Sequence, residues 1–307
     1  MIHYIKHTEI DKARWDASIA ESSNGLIYAY SWYLDIVCPD WDALIENDYE
    51  IVMPLPRKKK YGIAYLFPPF FVQQLGIFSP GTKLSQHRIH QFIDAIPAAF
   101  RYVEMNLNTK NQISLFNGNS MKKNLTHHVR LDKSYELLQQ NYSANVMRNI
   151  KKAGGMNYKV SRNYNVKEII SLFRKNKGRQ INTLKTDEYN MFEKLCRIVK
   201  IHHALDCMTI IHEDKIIAGL IVFKSNEYLI MIFSAVNEFG KTNGAMHYLI
   251  DQYLCYASQQ YPGKIFDFEG SNDKALARFY KSFGSTEVQY SQLKINKLPA
   301  AVKWLKR

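Results

Sequence analysis

Cysteine is scarce in this chain, and its four residues, Cys38, Cys196, Cys207 and Cys255, are scattered with no Cys-x-x-Cys pair. That spacing argues against a disulfide framework or a structural zinc site and suits a reducing compartment, so a cytoplasmic location is expected. No run of about 18 apolar residues exists to span a bilayer, and the opening MIHYIKHTEIDKARW lacks the apolar core of a signal peptide. A soluble protein without a membrane span is expected. Gly-x-Ser-x-Gly is absent, which leaves no α/β-hydrolase elbow. Histidines cluster only as the neighbours His127-His128 and His202-His203, and neighbours on a strand face opposite sides, so no metal site is expected.

Acidic residues are also in deficit: 28 Asp and Glu stand against 41 Lys and Arg, a net charge of +13. The excess is local. Between Arg148 and Lys185 there are 11 Lys or Arg and one acid, Glu168. Such a cluster attracts anions, and the candidates are coenzyme phosphates, a tRNA or a nucleotide-linked precursor. The plainer alternative is the solvated side of helices whose other side is apolar. At 307 residues the chain exceeds the usual compact domain of roughly 100–200 residues, so two domains are expected.

Strands are expected at Ile2–Ile5, Glu50–Pro54, Ile63–Phe67, Val72–Phe78 and Tyr102–Leu107, with helices at Glu9–Ser22, around Tyr30–Val37 and from Leu84 to Arg101, where Pro97 shortens or kinks the last. The second and third strands read as a hairpin with the lysine-rich tip Arg57–Gly62, whose charges discourage edge pairing. In the second half Ser143 caps a helix ending at Gly154-Gly155, and helices follow near Val166–Gln180 and Asp187–His203. Three meandering strands, Met208–Ile211, Ile216–Phe223 and Tyr228–Ala235, precede an amphipathic helix from Gly244 and a strand at Ile265–Phe268.

The most informative stretch is FDFEGSNDKALARFYKSFGS, Phe266–Ser285. An apolar strand runs into a turn that gathers Asp267, Glu269 and Ser271, and then into a helix with Leu276, Phe279, Tyr280 and Phe283 at i, i+3, i+4 and i+7, closed by Gly284. Open α/β sheets place their chemistry outside the carboxyl end of a strand in this way. Either carboxylate is a candidate general base; each also has a structural reading, as an acid beside the start of the next helix. Strand alternation puts Asp267 and Glu269 on one face.

The helix Ala275, Ala277, Phe279, Tyr280, Phe283, Gly284 resembles the last helix of the GNAT acyltransferase superfamily. Asp267–Gly270 and the segment NVMRNIKKAGGMNYKV resemble its branch of Fem-type peptidoglycan-bridge aminoacyltransferases. The resemblance implies an α/β (α+β) chain of two tandem GNAT-like domains, each a mixed, mainly antiparallel sheet flanked by helices, here 1–132 and 133–307. It implies transfer of an activated acyl or aminoacyl group to an amine acceptor, with acyl-CoA or aminoacyl-tRNA as donor substrate and no tightly bound cofactor. Glu269 and Asp267 are then the candidate bases, and Tyr280 the donor of a proton to the leaving group.

The loop before the long helix, with Gly240, Lys241, Gly244 and Ala245, corresponds to the pyrophosphate cradle. Met246 stands where the superfamily signature has Gly or Ala, a departure that favours tRNA over coenzyme A. Backbone N–H groups near Ser234 to Val236 would face the oxyanion. Gln73 and Gln74, in a segment resembling one that borders the Fem substrate groove, together with Arg148, Lys152 and Ser271, are the candidate substrate contacts. The rival reading is a non-catalytic protein binding RNA or another anion on a degenerate GNAT-like scaffold.

Overall fold

The computed structural model describes residues 1–81, 84–113 and 120–299. The chain divides into two compact units, Met1–Leu125 with Gln289–Arg307, and Thr126–Val288.

The first unit contains β1 (Ile2–Ile5), α1 (Lys12–Glu21), α2 (Ser31–Val37), β2 (Asp42–Glu46), β3 (Ile51–Leu55), β4 (Arg57–Lys60), β5 (Ile63–Leu66), α3 (Gln86–Asp94) and β6 (Phe100–Asn106). Strands β1, β2 and β3 form an antiparallel sheet. The expected hairpin of Glu50–Pro54 with Ile63–Phe67 does not form. β3 pairs with β2, while the lysine-rich Arg57–Lys60 is itself a strand paired with β5. β2 escaped the sequence reading because acids bound it; Asp42 and Glu46 are buried, and their ion pairs with Arg57 and Arg88 compensate the buried charge. β5 runs parallel to β6. α3 is shorter than expected, capped by Ser85, whose Oγ accepts from Arg88 N at 3.1 Å, and finished before Pro97.

Val72–Phe78, read as a strand, makes only two isolated bridges, Leu75 with Leu107 and Phe78 with Val52. Buried asparagines supply the missing partners. Asn111 Oδ1 accepts from Ile77 N at 2.7 Å, its Nδ2 donates to Ile77 O at 3.0 Å, Asn24 Nδ2 donates to the same oxygen at 2.8 Å, and Asn108 Nδ2 donates to Leu75 O at 3.0 Å. Gly76 takes φ +102°, and a Cβ there would collide with the Asn111 amide.

The second unit is entered through β7 (Ser120–Arg130) and contains α4 (Tyr135–Gln139), α5 (Ala144–Gly154), β8 (Lys159–Ser161), α6 (Val166–Lys175), α7 (Thr186–Ile201), β9 (Leu205–His212), β10 (Lys215–Lys224), β11 (Tyr228–Val236), α8 (Glu238–Thr242), α9 (Ala245–Gln260), β12 (Ile265–Asp267) and α10 (Lys274–Lys281). The chain leaves it through β13 (Thr286–Asn296), which the sequence reading did not anticipate. A single cut at 132/133 would keep β13 with the second unit. Its residues Gln292–Asn296 pair with β6, which groups the segment from Gln289 with the first unit.

In the second unit the strand order is β7-β12-β11-β10-β9-β8, antiparallel except for the β11–β12 pair. α9 lays Leu249, Ile250, Leu254 and Ala257 into one core with Leu220, Val222, Leu229 and Met231. Phe173 of α6 and Phe192 of α7 pack on Phe233, with ring centroids 4.7 and 4.9 Å apart. The fold is α/β with mixed, mainly antiparallel sheets flanked by helices.

Candidate active site

The β11–β12 pair opens because of its local register. Parallel pairing covers Tyr228–Ile230 against Ile265–Asp267 and stops. β11 continues for six more residues, Met231–Val236. Against β10 the pairs Ile221–Phe233 and Phe223–Ile230 set Met231 and Ile232 opposite Val222 alone, so a β-bulge begins at the residue after the last pair with β12. A bulge bends its strand and increases its twist, which explains why the neighbours part there. Among the described residues, the edge of β11 from Met231 to Val236 has no strand partner on the β12 side.

β12 ends at Asp267, and the next residues form a tight left-handed turn, Glu269 at φ +51° and Gly270 at φ +55°. A non-glycine residue held there costs on the order of 1 kcal/mol and needs restraint. Asp267 supplies it: Oδ1 accepts from Glu269 N at 2.9 Å and from the Thr126 hydroxyl. Ser271 Oγ donates to Glu269 O at 2.8 Å. His128 Nε2 lies 3.3 Å from Asp267 Oδ2, close enough for an ionic contact although not aligned for a hydrogen bond. The alternation expected to put Asp267 and Glu269 on one strand face therefore does not reach Glu269.

Glu269 is half-buried, and the desolvation that burial imposes on its carboxyl pushes its pKa up to about 8. Tyr280, on α10, stacks on Phe268 with centroids 4.7 Å apart. Its hydroxyl makes no hydrogen bond among the described residues. Burial raises its pKa, and the negative charges of Glu269, Asp273 and Asp267 add to the shift. Asp273 caps α10, accepting from Ala275 N at 2.8 Å and Leu276 N at 3.0 Å, which holds its own carboxyl below the usual range. Phe283 is buried and Gly284 ends the segment at φ +74° as expected, whereas Leu276, assigned to the apolar stripe, is 41% exposed.

The segment read as a phosphate loop is largely helical. Asn237 caps α8, with Oδ1 accepting from Gly240 N at 2.7 Å, and Lys241 N donates to Asn237 O at 2.9 Å. The N–H groups of Gly240 and Lys241 are thus engaged, and the Lys241 side chain is exposed. Gly244 is the N-cap of α9 at φ +72°, packed so closely on α5 that a Cβ would lie 2.5 Å from Asn149 O. It offers no side-chain cap, so the first turn of α9 from Ala245 presents backbone donors and the positive end of the helix dipole.

Every one of the eleven cations from Arg148 to Lys185 is exposed. Lys152 Nζ donates to Thr242 O at 2.9 Å, and Arg148 donates to Asn145 Oδ1 at 2.7 Å. Gln73 and Gln74 belong to the first unit. Gln74 Nε2 donates to Gln73 Oε1 at 2.8 Å, and Thr109 N donates to Gln74 Oε1 at 3.0 Å. The second unit brings Asp267, Glu269, Ser271 and Tyr280 together, with Gly240, Lys241, Gly244, Ala245 and Lys152 grouped around the start of α9.

Sequence reasoning missed Thr126 and His128, because nothing local reveals that β7 pairs with β12; Thr126 and Asp267 are 141 positions apart. It also missed His247, in the first turn of α9, which sits 5.0 Å from Phe279 and 6.1 Å from Phe283 between ring centroids, its pKa lowered by burial. Among the described residues no group of three or more His, Cys, Asp or Glu is placed to hold a metal, all four cysteines are free thiols, and no helix is long and apolar enough to cross a membrane.

The fold is similar to those of solved Fem-type and tandem GNAT proteins, which match it across the chain. FemX superposes with a TM-score of 0.64 at 11% identity, covering 94% of this chain and 96% of FemX. L-PGS from Bacillus licheniformis gives 0.57 at 12% identity, covering 96% and 95%. A tandem GNAT protein from the clavulanic acid biosynthesis pathway gives 0.53 at 9%, covering 98% and 100%. No protein-family model matches the sequence, and no curated protein matches it.

Proposed function

We propose that this protein is an N-acyltransferase that uses the opening between β11 and β12. The observation that carries the reading is the bulge at Met231–Ile232, which parts the only parallel pair among the described strands of the second unit just where the Glu269 turn begins. The amine nitrogen of the acceptor attacks the carbonyl carbon of the donor and forms the new N–C bond. Its proton passes to the Glu269 carboxylate, and the oxyanion is met by backbone N–H groups at Ser234–Val236. Collapse of the tetrahedral intermediate breaks the carbonyl carbon's bond to the leaving oxygen or sulfur, which takes a proton from Tyr280, and the proton gained by Glu269 returns through solvent to the tyrosinate. With a pKa of about 8, Glu269 is mostly protonated at neutral pH, and an acceptor ammonium beside it favours the ionised form needed for proton abstraction.

The donor is an acyl-CoA or an aminoacyl-tRNA. The uncapped start of α9 suits a pyrophosphate, whereas Met246 and the eleven exposed cations of Arg148–Lys185 favour tRNA. The same cations are the observation behind the second reading, a non-catalytic RNA- or anion-binding protein.

One set of titrations separates these readings. Acetyl-CoA is expected to bind weakly or not at all; a micromolar dissociation constant, about −8 kcal/mol, would restore a coenzyme A donor. Aminoacyl-tRNA is expected to bind and to be consumed with a primary amine. Replacing Arg148, Lys151 and Lys152 by Gln lowers tRNA affinity and flattens its salt dependence by roughly one counterion for each cation that had met a phosphate. Binding without turnover, over a range of amines, would favour the second reading.

A further inference from the structure

A cleft of about 490 Å³ lies beside the second half of α9, formed by the start of β9 (Leu205, Cys207, Met208), the loop Arg162–Tyr164, Lys200 at the end of α7, and Tyr253 and Tyr256. Its volume is within the range of roughly 300–1,000 Å³ typical of small-molecule sites. Tyr253 is eight residues along α9 from Ala245, which puts the cleft roughly 12 Å along the helix axis from the candidate acyl site.

Charge in this cleft is unevenly compensated. Asp206 is satisfied: Lys224 Nζ donates at 3.0 Å, Tyr253 OH at 3.0 Å and Tyr261 OH at 3.3 Å. Arg162 and Lys200 have no carboxylate within ion-pair distance among the described residues. Each is instead held over an aromatic ring, Arg162 at 4.6 Å from the Tyr256 centroid and Lys200 at 4.2 Å from that of Tyr164. Stacking restricts both cations before any ligand arrives, which lowers the entropic cost of binding. The Tyr164 hydroxyl is closed off from solvent and, among the described residues, has no hydrogen-bond partner, so the polar contacts offered to a ligand come from the two cations. Beside these polar groups, Leu205, Cys207 and Met208 provide an apolar wall.

We propose that this cleft binds a small organic anion, with its carboxylate or phosphate between Arg162 and Lys200 and its apolar body against Leu205 and Met208. The site is separate from the one in which acyl transfer is proposed, and it stands whether or not that reading holds.

Benzoate and phenyl phosphate, titrated calorimetrically into the full-length protein at low salt, test it. At least one is expected to bind saturably at one site with a dissociation constant below about 1 mM, corresponding to roughly −4 kcal/mol. The probe that binds tighter identifies the anionic group. The double variant Arg162→Gln/Lys200→Gln is expected to weaken that binding about tenfold or more, as for loss of charge-assisted hydrogen bonds. Arg162 and Lys200 are exposed, so the unliganded melting temperature should hold; if the double variant does not fold, Arg162→Gln alone carries the comparison. Absence of saturable binding for both probes, or equal affinity in the folded variant, overturns the proposal and leaves these cations as covers for tyrosine rings.

Discussion

Residues 72–78 of the first unit and 265–271 of the second solve the same local problem and leave different chemistry behind. Each is an irregular backbone in which a residue adopts positive φ, Gly76 in one and Glu269 with Gly270 in the other, and each is fixed by buried polar side chains. In the first, Asn24, Asn108 and Asn111 direct their amides to the backbone of Leu75 and Ile77, and nothing there titrates. In the second, Asp267 does the bracing, while Glu269 holds a carboxyl whose pKa burial raises to about 8 and Tyr280 holds a hydroxyl that has no hydrogen-bond partner among the described residues. A buried polar cluster is thus scaffold where every group meets the backbone, and a candidate reaction centre where a titratable group beside it is displaced from its ordinary pKa.

The sharpest break in that comparison is Glu269→Gln. It should lower the acyl-transfer rate by roughly 10²–10⁴-fold, the usual contribution of a general base, with the fold retained. Stability gives an independent readout. A carboxyl raised from 4.5 to about 8 stays protonated in the folded state after the unfolded chain has ionised. The wild type should therefore lose stability as pH rises from about 4.5 to 8, by up to a few kcal/mol, and Glu269→Gln should flatten that slope. A wild-type denaturation profile flat over this window would remove Glu269 from the site.

Asn111→Ala should destabilise by about 3 kcal/mol in denaturant titration, since it strips three hydrogen bonds and leaves the Ile77 N–H without its acceptor. Its specific activity per folded molecule should not change. A rate defect in the folded fraction would show that the first cluster is more than scaffold.

Asp267→Ala should cost about 2 kcal/mol through the orphaned Thr126 hydroxyl and Glu269 N–H. It should also reduce the rate indirectly, by releasing the Glu269 turn. If the pH profile of the residual activity keeps its inflection at about 8, Asp267 is a brace and not the base.

Tyr280→Phe has the smallest expected effect on stability, within about 0.5 kcal/mol, because no hydrogen bond is removed and the stack on Phe268 remains. A fall in rate of about tenfold, greater for donors with poor leaving groups, is the signature of a proton donor; an unchanged rate reduces Tyr280 to core.

What the sequence by itself determined was local and periodic. The strand into Asp267, the helix Lys274–Lys281 with its stop at Gly284, the meander of β9, β10 and β11 and the amphipathic α9 were legible because periodicity and helix stops act within a few residues. The gathering of Asp267, Glu269, Ser271 and Tyr280 was legible for the same reason, since all four fall within fourteen residues of one another. Tertiary structure decided the rest. β2 and β7 are strands whose polar residues conceal the pattern until ion pairs with Arg57 and Arg88, or pairing with β12, account for them. The failed strand at Val72–Phe78 has strand-like residues, but its hydrogen bonds go to asparagines up to 53 positions away. The parting of β11 from β12 depends on a one-residue bulge against β10, and the raised pKa of Glu269 depends on what encloses it. Both arise from pairing and burial among distant segments, which side-chain periodicity does not encode.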